Sequence, residues 1–244
     1  MISIIIPTFN EEELLPKLLE SIKKQSYKDY EIIVADNNSS DRTQSIAEGH
    51  GAKVERGGMP AVGRNNGAKI AKGDWLLFLD ADVVLPPNFL EKTMMEIKKR
   101  KFEATTCVVK PLSNKKIDKV LHGAVNCYIL ATQKFFPHAP GACIFIKRKK
   151  HFLIGGFNEK MKMGEDHNYV SKASKIAKFG VLRSTHLPVS VRRLEKDGRW
   201  NITVKYLMSE FHLVFFGPIY SDFFKYKFGY SNKKLECGVE SKIE

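Results

Sequence analysis

Two aspartates one residue apart, Asp80 and Asp82, stand where an apolar run ends in the stretch Gly73 to Pro87, GDWLLFLDADVVLPP. Carboxylates at this spacing in a loop can face the same space and hold a hard divalent cation such as Mg²⁺ or Mn²⁺. Such ions take oxygen ligands and bridge phosphate oxygens. Plainer roles exist for both residues, Asp80 capping a turn and Asp82 opening a solvated loop. A lone D-x-D is a common pattern, so the pair acquires meaning only from its company.

The elements that must position the pair are legible around it. Trp75 to Leu79 reads as a central strand covered on both faces, because the run is continuously apolar and bounded by Gly and Pro. In open α/β sheets ligands bind outside the carboxyl ends of strands, which is where both aspartates fall. Ile2 to Ile6 is a β-branched run closed by Pro7, a first strand. Asn10, with Glu13 three residues on, reads as an N-cap and its capping-box partner. The helix that follows carries Leu14, Leu15, Leu18, Leu19 and Ile22 on one face. Glu31 to Ala35 is a second strand, and the polar run Asp36 to Asp41 turns the chain and caps a helix through Ala47. Ala52 to Glu55 reads as a short third strand. Gly57-Gly58 breaks the chain, Pro60 starts a helix to Ala71, and Pro87 opens another through Arg100. Three strand–helix units in the first hundred residues predict an α/β fold, a doubly wound, mostly parallel sheet flanked by helices with right-handed crossovers.

From about Glu103 the pattern changes. Ala104 to Val109 reads as a strand, Ile117 to Gln133 as a helix, Pro137 to Gly141 as a loop and Ala142 to Ile146 as a strand. The basic run Lys147 to Lys150 is most simply a solvated helix start. Gly155-Gly156-Phe157 is a turn, and Gly164-Glu165-Asp166 precedes a helix to about Phe179. Trp200 onward looks helical, then aromatic and basic. No G-x-G-x-x-G follows the first strand and no G-x-x-x-x-G-K-[ST] occurs, which disfavours a dehydrogenase-type dinucleotide fold and a P-loop.

Composition bounds the partners. The 244 residues carry a net charge of +13, with 43% hydrophobic and 27% charged residues. That balance is ordinary for a globular chain except in its charge, which attracts anions: nucleotides, nucleic acid or an acidic membrane surface. Cys107, Cys127, Cys143 and Cys237 are far apart and lack zinc-ligand spacing, so they read as reduced thiols of an intracellular protein. The N-terminus lacks the basic n-region of a signal peptide. No run approaches the roughly 18 apolar residues of a spanning helix. A cytoplasmic location is expected.

Six stretches in order resemble the family 2 glycosyltransferases, nucleotide-sugar-dependent enzymes of GT-A fold. They are Ser3 to Glu11, Val34 to Thr43, Gly63 to Gly67, Gly73 to Asp82, Gly155 to Glu159 and Gly164 to Asp166, and together they cover roughly residues 1 to 170. The resemblance implies a GT-A-type sheet with residues 1–102 as the nucleotide-sugar-binding half. Residues 103–200 would form the acceptor half of the same catalytic domain, and 201–244 a C-terminal helical, aromatic tail. Pro7, Thr8 and Glu11 would surround the base and ribose, with Asp36 accepting a hydrogen bond from the base. Each carboxylate also has a local role open to it, Glu11 at a helix dipole and Asp36 in an Asx-turn. Arg64 would approach the diphosphate or the metal-binding carboxylates. Asp80 would bind ribose or the outer shell of a Mn²⁺ or Mg²⁺ cofactor, and Asp82 would ligate the metal directly. That ion would stabilise the leaving diphosphate as a Lewis acid.

The resemblance makes Asp166 the general base that takes the acceptor proton in a single-displacement, inverting transfer. Glu165 would orient the acceptor or the base. Arg192, Arg193, Arg199 and Trp200 would clamp diphosphate or an anionic acceptor. Processive relatives carry Q-x-x-R-W; here Lys196 stands at the glutamine position, which speaks against polymer synthesis. His186 is set aside as a metal ligand, because a lone histidine is more often structural.

Residues 203–230 interleave Phe215, Phe216, Tyr220, Phe223, Phe224, Tyr226, Phe228 and Tyr230 with Lys225 and Lys227. They read either as a helix packed on the catalytic domain with a loose end, or as an interfacial anchor on anionic lipid. The second reading implies a peripheral enzyme on the cytoplasmic membrane face, with lipid-linked acceptors such as polyprenyl phosphates, which family relatives often use. The partners expected are thus a nucleoside-diphosphate sugar donor and a glycan or lipid-linked acceptor. A sugar-phosphate nucleotidyltransferase is disfavoured, since Pro7-Thr8-Phe9-Asn10 stands where its glycine-rich loop belongs. A non-catalytic basic protein binding nucleic acid or membrane rests on charge alone, and no nucleic-acid-reading motif is present.

Overall fold

The structure, a computed structural model, describes residues 1–221. β1 (Ile2–Thr8), β2 (Tyr30–Asp36), β3 (Lys53–Arg56) and β4 (Trp75–Leu79) run parallel in the order β3-β2-β1-β4. Helices α1 (Leu15–Lys23), α2 (Thr43–Gly49) and α3 (Pro60–Ile70) return the chain between them, and α4 (Phe89–Arg100) leads out of β4. The chain continues through β5 (Ala104–Pro111), α5 (Lys116–Thr132), β6 (Cys143–Lys147), α6 (Arg148–Leu153), α7 (Glu165–Ser174), β7 (Phe179–Val189), α8 (Arg192–Lys196) and α9 (Arg199–Phe215). One seven-stranded sheet results, ordered β3-β2-β1-β4-β6-β5-β7. Among the described residues β6 alone runs against the rest, pairing antiparallel with β4 and β5.

Continuous apolar strands are covered on both faces, as expected for the parallel part. Ile4 and Ile6 of β1 and Leu77 and Leu79 of β4 join α1 and α4 side chains such as Leu18, Ile22 and Phe89 in one core. Ile5, Leu76 and Phe78 point the other way into a second core with Phe157, Tyr169 and Val170. The two-residue period of a strand thus divides one sequence between two layers. Helix α3 lies close on the sheet because Gly67 has no side chain there. A Cβ at Gly67 would fall 2.5 Å from Ile5 Cγ2.

The expected sheet and its first four strands are present, with two local differences. Asn10 is not a helix cap: it adopts φ 54°, and its Oδ1 accepts from Ser40 N at 2.8 Å. The helix starts one turn later, at Leu15. The amide therefore ties the loop after β1 to the loop after β2. The helix read from Gly164 to about Phe179 ends at Ser174, and Phe179 begins the edge strand β7. Its pairing with β5 shifts register between Cys107 and Val108, which breaks the alternation that marks a strand in sequence. Pro188 is tolerated because an edge strand leaves one side of its backbone unpaired. Cys107 and Cys143 are buried free thiols and Cys127 is an exposed one; Cys237 lies outside the described residues.

Candidate active site

The carboxyl ends of β1, β2 and β4 and the start of α7 supply the polar groups. Arg64 on α3 is 3% exposed, so its charge is compensated inside the protein. Its Nη2 donates to Asp80 Oδ1 at 2.8 Å and its Nη1 to Glu165 Oε1 at 2.9 Å. Nη2 also reaches the Gly141 carbonyl at 3.3 Å, and the guanidinium lies 5.3 Å from the Phe157 ring centroid. Burial opposes the charge on Arg64, but Asp80, Glu165 and Asp166 outweigh it and hold the group protonated. Burial and the neighbouring Asp166 raise the Glu165 carboxyl, with Arg64 pulling the other way.

Asp166 stands beside this bridge. A Cβ placed on Gly141 would lie 2.7 Å from Asp166 Oδ2 and 3.4 Å from Arg64 Nη2. The absent side chain at 141 is what lets the loop, the arginine and the acidic helix start converge. Phe157, under the arginine, stacks on Tyr169 at 3.8 Å and 5°. Buried His151 Nδ1 meets the Tyr169 hydroxyl at 2.7 Å.

A second group of carboxylates faces α8. Burial raises the Asp82 carboxyl to about 7, with Asp80 and Glu11 adding to the shift and Arg192 and Arg193 opposing it. Glu11 Oε1 accepts from Arg192 Nη2 at 2.6 Å, while its buried Oε2 has no hydrogen-bond partner among the described residues. Burial dominates the raised Glu11 pKa, and Arg192 lowers it in part. Asp80 and Glu11 both oppose the charge of Asp82, a repulsion that a bound cation would relieve. The carboxylate oxygens of Asp80 and Asp82 are of the kind that suits the hard divalent cation suggested by the D-x-D spacing.

The other expected site residues are placed as follows. Pro7 is buried in β1, where its Cβ backs Gly63. Thr8 Oγ1 donates to Asp36 Oδ1 at 2.9 Å. Asp36 also accepts from Ser39 N at 2.8 Å, Ser39 Oγ at 2.6 Å and Gln44 Nε2 at 2.7 Å. That uses about four acceptor positions, a carboxylate's usual capacity, so Asp36 builds its own loop here. Arg193 Nη1 donates to the Tyr206 hydroxyl at 3.2 Å. Arg199 and Trp200, expected as a clamp, open α9. Arg199 forks onto the fully buried Asp118, Nε to Oδ1 at 2.7 Å and Nη2 to Oδ2 at 3.0 Å. It anchors α9 to α5, and Trp200 is 71% exposed. His186 lies opposite Val108 in the sheet. The basic run is structural: Lys147 pairs with Glu103, and Lys150 Nζ reaches the Ile176 carbonyl.

Two features escaped the sequence. Asn65, next to Arg64, clips the Gly155 to Glu159 turn to α3. Its Nδ2 donates to the Phe157 carbonyl and its Oδ1 accepts from Phe157 N, both at 2.9 Å. The signal was its place inside the Gly63 to Gly67 motif. His138, His167 and Glu210 also meet, with one ligand atom of each within 4.8 Å of the others. Their sequence separation left no spacing to read.

The sequence model described as glycosyl transferase family 2 matches residues 3–155. The chain belongs to that family. Among curated family relatives, an uncharacterized glycosyltransferase of Haemophilus influenzae is 29% identical over 191 residues, 70% of this chain and 61% of that protein. A GalNAc(5)-diNAcBac-PP-undecaprenol beta-1,3-glucosyltransferase of Campylobacter jejuni is 38% identical over 39% of this chain and 34% of that protein. The chain thus spans between about one third and three fifths of these relatives. Among solved structures, the mannosyltransferase PcManGT from Pyrobaculum calidifontis, in complex with GDP-Man and Mn²⁺, superposes with TM-score 0.69. It is 22% identical, covering 87% of this chain and 63% of that one. S. aureus TarS 1-349 in complex with UDP-GlcNAc gives TM-score 0.66 at 20% identity, covering 86% and 66%. The likeness to both is one of GT-A fold. No helix among the described residues is long and apolar enough to cross a membrane.

Proposed function

We propose that this family 2 chain is a metal-dependent, inverting glycosyltransferase. It moves a sugar from a nucleoside-diphosphate sugar to an acceptor hydroxyl, lipid-linked acceptors included. The observation that carries this reading is the Arg64 bridge, which joins Asp80 at the end of β4 to Glu165 at the start of α7. It brings a diphosphate-side carboxylate and an acceptor-side carboxylate under one buried cation, and a single displacement needs that adjacency.

In this reading residues 1–102 bind donor, with Pro7, Thr8, Glu11 and Asp36 around the nucleotide. Residues 103–200 receive the acceptor. Asp80 and Asp82 hold Mn²⁺ or Mg²⁺, with Glu11 beside them. When bound, such an ion neutralises charge on the departing nucleoside diphosphate. Arg192 and Arg193 add positive charge on the same side. Asp166 accepts the acceptor's hydroxyl proton as that oxygen attacks the anomeric carbon opposite the leaving diphosphate. Glu165, held by Arg64, fixes the start of α7 and with it the base. The GDP-Man and Mn²⁺ bound to the Pyrobaculum enzyme, and the undecaprenol-linked substrate in the Campylobacter enzyme's name, support the donor and acceptor classes.

The tail from 201 fits a lipid-facing role in its described part. Ile202 and Ser209 of α9 are buried, while Leu207, Phe211, Phe215 and Phe216 are exposed. Phe223, Phe224, Tyr226, Phe228 and Tyr230, with Lys225 and Lys227, lie outside the described residues. An exposed apolar helix face on a chain of net charge +13 suits an anionic membrane surface. Co-sedimentation with anionic liposomes tests this; equal binding by a chain cut after Gly198 argues against it.

The donor site is tested by thermal shift with UDP, GDP and CMP and their sugars, each with Mn²⁺, Mg²⁺ or EDTA. A ligand selective for the native state raises Tm by mass action. A metal-dependent rise with one nucleoside diphosphate is expected. No rise with any of them contradicts the donor site.

A further inference from the structure

Three side chains outside the carboxylate cluster meet at one point. His138 lies in the loop between α5 and β6, His167 follows Asp166 on α7, and Glu210 sits on α9. We propose that His138, His167 and Glu210 bind one zinc-class divalent ion, separate from the hard cation expected at Asp80 and Asp82.

The donor set is the first argument. Two imidazoles and one carboxylate suit Zn²⁺ and its neighbours, where Mg²⁺ or Ca²⁺ prefers oxygen alone. Three protein ligands also leave a fourth position for water. The outer contacts are the second. His138 Nδ1 is directed at the Phe136 carbonyl, so in a neutral ring the lone pair of Nε2 faces Glu210 Oε1. A lone pair facing a carboxylate oxygen is repulsive unless a proton or a metal ion lies between them. A ligating histidine whose second ring nitrogen donates to a backbone carbonyl is the usual outer shell of a metal site. Tyr128 supplies another such contact, its hydroxyl donating to Glu210 Oε1 at 3.0 Å. The third argument is alignment. His167 Nδ1 lies 2.9 Å from Glu210 Oε2 yet is out of line for a hydrogen bond. The two imidazole rings stand perpendicular, 4.9 Å between centroids, so both direct nitrogens at the carboxylate without stacking.

An ion here would join three segments far apart in sequence: the loop after α5, the acidic start of α7 and the helix α9. Gly141, three residues past His138, accepts from Arg64 Nη2 at 3.3 Å, and a Cβ there would meet Asp166. The ion would clasp α9 to the side of the site that carries Asp166. The inference stands apart from the transfer reaction, because its test is metal content.

The full chain, stripped with EDTA and exchanged into metal-free buffer, is titrated with Zn²⁺ and with Co²⁺. One ion per chain is expected to bind with a Kd in the micromolar range or tighter and to survive the substitution Asp82→Asn. Co²⁺ should give visible d–d bands without thiolate charge-transfer in the near ultraviolet. His138→Gln and Glu210→Gln, each confirmed folded by circular dichroism, should weaken Zn²⁺ binding at least about tenfold. Three results overturn the site. They are no zinc bound by the folded wild-type chain, leaving a metal-free ion pair; affinity unchanged in both variants; or a thiolate band, which moves the ion to a cysteine. The wild-type titration and the Co²⁺ spectrum decide the matter even if the variants fail to fold.

Discussion

Arg64 and Glu165 stand 101 positions apart in the chain, and Nη1 of one donates to Oε1 of the other at 2.9 Å. The second arm of the same guanidinium holds Asp80 at 2.8 Å. A planar fork serves two carboxylates in two directions, which the single ammonium of lysine cannot reproduce. The end of β4 and the start of α7 therefore keep a fixed distance through one side chain.

Substituting that fork should be costly in two separable ways. Arg64→Met leaves Asp80 and Glu165 without their shared cation and should destabilise the fold by about 3–5 kcal/mol. Arg64→Lys keeps the charge and should lose less stability, yet lower kcat by roughly 100-fold through misplacement of the acidic start of α7. Denaturant melts and steady-state rates on both variants check this. A lysine variant with normal kcat would remove the bridge from the mechanism.

Asp166→Asn keeps the shape of the side chain and removes its basicity. We expect transfer to fall by roughly 10²–10⁴-fold while the affinity for the nucleoside diphosphate stays within about threefold, a small change on the scale where tenfold is 1.4 kcal/mol. Calorimetry of nucleotide binding beside the transfer assay separates the two. Loss of both together would assign Asp166 to donor binding or to the fold.

Gly141→Ala asks whether the space beside Asp166 matters. The new Cβ would sit 2.7 Å from Asp166 Oδ2, closer than contact allows, so the carboxylate must turn away. An approximately tenfold or greater fall in kcat with little change in donor affinity is expected, since small misplacements of catalytic groups are expensive. An unaffected rate would show that Asp166 works from another position.

His151 gives the fold a pH dependence. Burial, helped by the nearby Lys172 charge, lowers its pKa from 6.5 to about 4. The folded protein thus holds the ring neutral where the unfolded chain protonates it. Stability from this group is complete above about pH 6.5 and is lost as pH falls from there toward about 4. The difference between those two values corresponds to about 3 kcal/mol. Melting curves between pH 7.5 and 4.5 should fall more steeply for wild type than for His151→Gln. Parallel slopes would show that the ring is not kept neutral.

Metal removal should act on transfer more than on folding. EDTA is expected to abolish activity, with Mn²⁺ or Mg²⁺ restoring it, and Asp82→Ala should show no such rescue. Full turnover in EDTA would exclude Asp82 from metal binding.

Much of the donor side is written in local sequence. Trp75–Leu79 is the strand the apolar run predicts, and Pro60 starts its helix, because strand burial and helix starts depend on nearby residues. The D-x-D pair follows directly from its strand end. The family resemblance placed Asp80, Asp82, Glu165 and Asp166 as candidates and Arg64 near the metal-binding carboxylates, but it did not reach the Arg64–Glu165 contact. Local reading missed β7, whose register shift against β5 hides its alternation. It set Arg199 at the site, where tertiary packing gives that arginine to Asp118. Only the folded chain decided that Arg64 joins β4 to α7, that Glu11 meets Arg192 at 2.6 Å, and that His138, His167 and Glu210 converge. Short-range pattern records what a residue does to its own turn of chain. Which charges neutralise each other is fixed when distant segments are desolvated together, and no spacing in the sequence encodes that choice.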